Sequence, residues 1–327
     1  MKQYDLYGIG NALVDLEFRV SDEKLSELEV DKGLMTLIEE DRHQDLLTKL
    51  GDLNHKRASG GSAANSVIAL AQLGGNGFYS CKVSNDSFGD FYLADMKECN
   101  VDTNLDNTER AAGHTGKCIV MVTPDAERSM NTYLGVTVTL SEAEVVADAI
   151  KHSKFVYLEG YLVTSDTGRA AAIKAASIAN ASNIPTVLTL SDPNMVNFFR
   201  DGLLEMAGDQ LDLLFCNEAE ATLMTDTDNV EAAGEALKKL ARRFAITTGA
   251  EGSITWDGER FQKIPTEKVE VVDTNGAGDM YAGAFLYGLT HDMSFEDSAR
   301  LANKAASKVV THFGPRLPTE QTRALLS

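Results

Sequence analysis

From Lys154 onward the chain alternates between short runs of aliphatic and β-branched residues and longer stretches in which small apolar residues recur at helical spacing. The pattern predicts strands at 155–158, 186–190, 211–216 and 244–248, with helices between them that include the alanine-rich stretch 167–181. Apolar strands separated by helices suit a parallel sheet covered on both faces, because every strand then buries both of its sides. The amino-terminal half adds a strand at 4–10 and a charged stretch, 21–54, with short helical segments and one apolar island at 34–38. A helix follows, opened by Gly60 and Gly61 and closed by Gly74 and Gly75, with Ala64, Val67, Ile68 and Ala71 on one face. The last predicted helix runs from Ser294, an N-cap with Asp297 three residues on, to about His312, and 314–318 is expected to end the fold.

One segment stands outside the alternation. Residues 114–134 read as a hairpin, with arms at 118–122 and 128–134 and a turn at 123–127. The alternating remainder has no need of it, so it is either an edge hairpin on the main sheet or part of a separate small one.

The run from Val269 to Phe285 combines a buried strand end (Val269, Val271, Val272), a turn of Asp, Asn and Gly, and a helix of small and apolar residues. Strand, glycine turn and helix in that order gather unpaired amides and the positive end of the helix dipole around a hole suited to an anion. Gly276 and Gly278 keep that hole free of side chains. Asp279 then either stabilises the helix start or takes a proton from a hydroxyl that attacks a phosphate held in the hole.

Composition narrows the classes. With 327 residues, 43% of them hydrophobic and 24% charged, the chain is long enough for a large core and has the balance of a soluble globular protein. A formal net charge of −19 argues against nucleic acid as a partner. Cys81, Cys99, Cys118 and Cys216 show neither a CxxC pair nor metal-ligand spacing and read as reduced thiols. No apolar run approaches membrane-spanning length, so no membrane partner is expected and the cytoplasm is the expected location. Gly8-Ile-Gly10 is not a dinucleotide fingerprint, since Leu13 stands where the third glycine belongs.

Asp273-Thr-Asn-Gly-Ala-Gly-Asp279, followed by its small-residue helix, resembles the C-terminal signature of the ribokinase-like (PfkB) carbohydrate and nucleoside kinases, and the resemblance extends over nearly the whole chain. Gly10-Asn-Ala-Leu-Val-Asp15 is similar to the corresponding run of the adenosine kinases in that family. The resemblance implies an α/β fold: a ribokinase-like three-layer α/β/α sandwich with a mostly parallel central sheet, plus a small β-sheet lid over the substrate. The lid would comprise 13–38 and 111–135, and the large unit 1–12, 39–110 and 136–327.

Roles follow by the same resemblance. Asp279 would be the catalytic base, with Asn275, Gly276, Ala277 and Gly278 forming the anion hole. Asn11 and Asp15 would bind sugar hydroxyls, with Gly60, Gly61 and Asn65 against the same ring. One ionised carboxylate can accept from both hydroxyls of a vicinal diol, which agrees with that role for Asp15. Asn217 and Glu220 match a motif that organises Mg²⁺ and its waters, while Thr248, Gly249 and Gly252 match the nucleotide loop, with Thr248 where a lysine is common. Asn303 would lie near the adenine of ATP, and Asp86 is given a structural role only; Asp192, just past a strand where α/β sheets gather ligand groups, is expected near the phosphates or metal. Tyr161 and Tyr133 are candidates to stack on a purine.

The implied reaction is ATP- and Mg²⁺-dependent phosphorylation of a primary hydroxyl, with adenosine as the expected acceptor. A free sugar (ribose, fructose or 2-keto-3-deoxygluconate) is the alternative, and a catalytically silent nucleotide sensor the disfavoured one. A monovalent cation such as K⁺, beside the Asp273 turn, is compatible with the family, as is a monomer or a homodimer.

Overall fold

The computed structural model describes residues 3–51, 55–106, 109–125, 127–209 and 211–327. The chain opens with β1 (Tyr4–Ile9), β2 (Leu13–Arg19), α1 (Asp22–Glu27), β3 (Met35–Leu37), α2 (Glu40–Leu50), β4 (His55–Gly60) and α3 (Ser62–Leu73). It continues through β5 (Gly77–Ser80), α4 (Ser87–Glu98), β6 (Val101–Thr103), β7 (Gly116–Val122) and β8 (Arg128–Tyr133). The alternating part follows: α5 (Ala147–Lys151), β9 (Ser153–Glu159), α6 (Asp166–Ala181), β10 (Thr186–Thr189), α7 (Pro193–Ala207), β11 (Leu213–Asn217), α8 (Glu218–Thr225) and α9 (Val230–Leu237). Last come β12 (Phe244–Thr247), β13 (Ser253–Trp256), β14 (Phe261–Ile264), α10 (Ala277–Thr290), α11 (Phe295–Val309) and α12 (Thr319–Arg323).

Nine strands form the larger sheet in the order β14-β13-β12-β11-β10-β9-β1-β5-β6. Pairing is parallel from β12 to β6 and antiparallel only for β13 and β14. Alternate residues of one strand enter two different cores. Phe155 and Tyr157 of β9 pack with α3, α10 and α11, whereas Val156 and Leu158 pack with α6 and α7. This is the ribokinase-like three-layer arrangement.

The smaller sheet has the order β3-β8-β7-β2-β4. The 114–134 hairpin forms its β7 and β8, and the antiparallel register Lys117↔Tyr133 to Val122↔Arg128 fixes which residues share a face. β4 pairs antiparallel with β2, Leu13 opposite Gly60. Residues 55–60 thus belong to the smaller sheet, not to the large unit where 39–110 was expected to lie. His-Lys-Arg-Ala-Ser-Gly carries no alternating apolar signal, and its strand conformation comes from pairing with β2.

Two further expectations are corrected. Val269, Val271 and Val272 form no strand and stand 37, 50 and 39% exposed, since the segment from Pro265 to Asp273 runs across the surface between β14 and the α10 turn. The fold also continues past Pro318: Thr322 of α12 donates to Gln72 of α3, which holds the C-terminal turn against the large unit. Among the described residues no helix is long and apolar enough to cross a membrane.

Candidate active site

A cavity of about 750 Å³ opens where the carboxyl ends of the central strands meet the smaller sheet and the start of α10. Asn11, Glu159, Thr189, Asn217 and Thr247, at or just past the ends of five parallel strands, line it, the usual place for ligands in such sheets. Across from them lies one face of the smaller sheet: Leu13 and Asp15 of β2, Met35 and Leu37 of β3, Cys118 and Val120 of β7, and Arg128, Met130 and Thr132 of β8. These positions are two apart on each strand, so a single register places them all on the cavity.

Asp279 sits in the first turn of α10, on the cavity. Its Oδ1 accepts a hydrogen bond from Ser62 Oγ at 2.6 Å, and its Oδ2 accepts one from Asn65 Nδ2 at 2.9 Å. Burial pushes the carboxyl up to about 6, against the lowering effect of those two donors. The amide of Asn65, expected against a sugar, is therefore engaged with the acid, while its buried Oδ1 has no partner among the described residues. Ser62, which the sequence reading passed over, directly follows the two glycines at the start of α3.

The turn before α10 is built as an amide cradle. Asn275 N donates to Asp273 Oδ1 at 2.9 Å and Ala277 N donates to Thr274 O. The amides of Gly276, Gly278 and Asp279 have no acceptor among the described residues, as expected of a helix start. Gly276 is the N-cap at φ +71°, and a Cβ there would lie 2.3 Å from Pro315 O, so only glycine fits. The other oxygen of Asp273 accepts from Gly314 N at 2.8 Å, and Arg128 Nε lies 2.7 Å from its Oδ1. The carboxyl beside which a monovalent cation was considered thus already faces a guanidinium.

At the other side of Asp279 are two more buried carboxyls. Asp15 is pushed up to about 7, first by burial and then by Glu17, with Arg128 and Arg316 pulling it down. Gly60 stands against it: a Cβ at Gly60 would meet the Asp15 carboxyl at 2.3–2.5 Å. Gly60 does not line the cavity itself, whereas Gly61, the N-cap of α3 at φ +104°, does. Glu159, at the end of β9, accepts from Asn11 N and Asn11 Nδ2, both at 3.0 Å, and from Ala63 N at 2.8 Å. Burial raises it to about 7. It ties β1, β9 and the start of α3 together and fixes the Asn11 amide, a role signalled only by an acid at a strand's carboxyl end.

Towards β11 and β12 the expected nucleotide residues divide. Asn217 and Glu220 form a reciprocal capping box on α8, and both line the cavity. Glu220 accepts from Asn217 N at 3.0 Å and from its Nδ2 at 2.7 Å, and burial raises it to about 7. No cluster of three His, Cys, Asp or Glu able to hold a metal occurs among the described residues. Glu220 still has free lone pairs, which fits a hydrated Mg²⁺ approached through water, not an all-protein cage. Thr248, Gly249 and Gly252 lie in the turn between β12 and β13, next to the lining residue Thr247 but outside the lining. Asn303 is 4% exposed, donates to Ile264 O at 2.8 Å and lies outside the lining as well, so its amide serves packing of α11 on β14. Asp192 is the N-cap of α7, accepting from Asn194 N at 2.7 Å. Asp86 likewise caps α4 and binds Thr115, the structural role expected of it.

The two tyrosines expected beside a purine are placed differently. Tyr133 is out of phase with Thr132 and Leu134, points to the outer face of the smaller sheet and donates to Glu40. Tyr161 lines the cavity, but it packs on the core under α6 and α7, and its hydroxyl is held well above its usual pKa by burial, then by Asp192, Asp279, Glu159 and Glu220.

A family profile described as pfkB family carbohydrate kinase matches residues 41–322. The chain belongs to that family. It is an ATP-dependent kinase of the nucleoside and sugar type. Its structure is similar to that of adenosine kinase from Sinorhizobium meliloti, at 36% identity and TM-score 0.90 over 99% of each chain. In sequence it is 27% identical to adenosine kinase 2 of Arabidopsis thaliana, over 96% of this chain and 95% of that one. It is 32% identical to ribokinase of Lactococcus lactis over 78% of this chain and 80% of the relative.

Proposed function

We propose that this PfkB kinase transfers the γ-phosphoryl group of ATP to the primary hydroxyl of a ribonucleoside, adenosine before others. The observation that carries the nucleoside is the apolar wall beside the polar groups of Asn11 and Asp15. Leu13, Met35, Leu37, Val120, Met130 and Leu134 face the cavity next to Asp15 and Asn11. A nucleobase buries apolar area there, and a free sugar has none to offer. Likeness to the S. meliloti adenosine kinase supports the same choice. Likeness to the L. lactis ribokinase favours the second reading, a free-sugar kinase.

In the proposed reaction Asp15 and the Asn65 Oδ1 receive the ribose hydroxyls, and Glu159 keeps Asn11 turned towards the ring. Asp279 accepts the proton of the attacking hydroxyl as its oxygen meets the γ-phosphorus, and the ADP oxygen leaves. The amides of Gly276, Gly278 and Asp279 stabilise the charge gathering on the transferred group. Mg²⁺, when bound with ATP, neutralises phosphate charge, and Asn217 with Glu220 would hold its water shell. The smaller sheet serves as a lid that keeps water from the phosphate.

ATP consumption measured with adenosine, inosine, guanosine, ribose, fructose and 2-keto-3-deoxygluconate tests the reading. Adenosine is expected to give the highest kcat/KM. A preference for a free sugar overturns the nucleoside assignment, and turnover of none overturns the kinase reaction proposed for this site.

A further inference from the structure

Three residues at the start of α3 donate to buried acids, and only one of them has a hydroxyl aimed at the proposed base. Ser62 occupies the first position of that helix, after the Gly61 N-cap. Its Oγ donates to Asp279 Oδ1 at 2.6 Å across a sequence separation of 217 residues. Asn65, one turn later on the same helix, holds Oδ2. Ala63, between them, has its amide fixed by Glu159. The helix start is therefore anchored to β9, and both oxygens of Asp279 are anchored to the helix start.

The two donors are not equivalent. An amide N–H can only donate, so Asn65 can hold Oδ2 but cannot follow a proton. A hydroxyl donates to the carboxylate and, by rotating about its C–O bond, accepts from the carboxylic acid. We propose that Ser62 is a positioning residue for phosphoryl transfer: it orients Asp279 Oδ1 in the charged state and accepts from the same oxygen once Asp279 has taken the substrate's proton. No atom is consumed in this step. The proton moves from the acceptor hydroxyl to Asp279, and the Ser62 hydroxyl reverses its hydrogen bond to match. The inference rests on the reading of Asp279 as the base.

The surroundings make this donor matter. The ionisable groups facing Asp279 are acids or phenols: Glu159 of β9, Asp15 of β2, Tyr157 of β9 and Tyr161 just beyond it. Arg128 and Arg316 act on Asp15. With no cation assigned to Asp279 itself, the hydrogen bonds from Ser62 and Asn65 are what favour its charged form against burial.

The test is the pH profile of kcat/KM for the acceptor in Ser62→Ala, Ser62→Thr and Asp279→Asn, with wild-type protein alongside. Ser62→Ala removes a donor to the charged base, so its acid limb is expected to move to higher pH by about half a unit to one unit. The deficit is then about three- to eightfold at pH 5.5 and shrinks as the pH rises. Ser62→Thr keeps the hydroxyl and is expected to return the limb towards wild type. An unmoved limb in Ser62→Ala, or a Ser62→Thr limb that shifts as far as the alanine one, overturns the proposal. Asp279→Asn separates the two readings. If it turns over like wild type, the base assignment is lost; if it is inactive while Ser62→Ala keeps the wild-type limb, only the role of Ser62 is lost.

Discussion

Arg128 on β8 of the smaller sheet and Asp273 in the turn before α10 form a buried ion pair, with Nε 2.7 Å from Oδ1 and side chains 8% and 0% exposed. The pair joins the smaller sheet to the amide cradle, because the same Asp273 carboxyl accepts from Asn275 N and Gly314 N. Glu17 of β2 stands 3.7 Å from the same guanidinium. Breaking the pair leaves an uncompensated charge in the interior. Arg128→Met is therefore expected to cost about 3–5 kcal/mol of stability in denaturant melts. Arg128→Met combined with Asp273→Asn should cost less than the two single changes added, by about 1–3 kcal/mol. Additive costs would show that the two side chains do not act on one another.

Gly60 is expected to act through Asp15. A methyl at Gly60 would overlap the Asp15 carboxyl, so Gly60→Ala must displace it or the β4 backbone. Misplacement by about an ångström is worth up to about a hundredfold in kcat/KM for the acceptor. The KM for ATP, whose proposed site lies towards β11 and β12, should change little. Steady-state kinetics with each substrate varied in turn distinguish this from general damage, which would affect both.

Stability should carry the mark of the buried acids. Asp15 is raised to about 7 in the fold, against an ordinary value near 4. Between those values the native state binds more protons than the unfolded chain, so this group's contribution falls as pH rises and levels off above about 7. Asp15→Asn removes that loss. Its stability relative to wild type should therefore climb by roughly 1–3 kcal/mol between pH 4 and pH 8. A flat difference across that range would mean that Asp15 titrates normally in the folded protein.

Much of the fold was legible because β9 to β12 bury both faces and so carry uninterrupted apolar runs that nothing else explains. β4 was not legible, since its residues are polar and its conformation is imposed by β2. Val269, Val271 and Val272 show the reverse error: β-branched residues with no sheet neighbour to pair with. At the site, Asp279, Asn11 and Asp15 lie in short motifs whose resemblance to the kinase family, not their spacing alone, implies their chemistry. Ser62, Glu159 and Arg128 carry no such signature, because their importance comes from contacts spanning 217, 148 and 145 residues of chain. Tyr133 was misplaced by one residue of strand phase, which turns a side chain to the opposite face. The contact of Asn303 was not legible either, because its amide is satisfied by the Ile264 carbonyl, 39 residues away in the chain.

Single-turnover and steady-state kinetics of Asp279→Asn test the central claim most directly, because the amide keeps the shape of the side chain and cannot accept the proton. The expected result is a kcat lowered by at least about a hundredfold, with acceptor and ATP still bound in calorimetric titrations. Turnover at the wild-type rate would contradict a general-base role for Asp279.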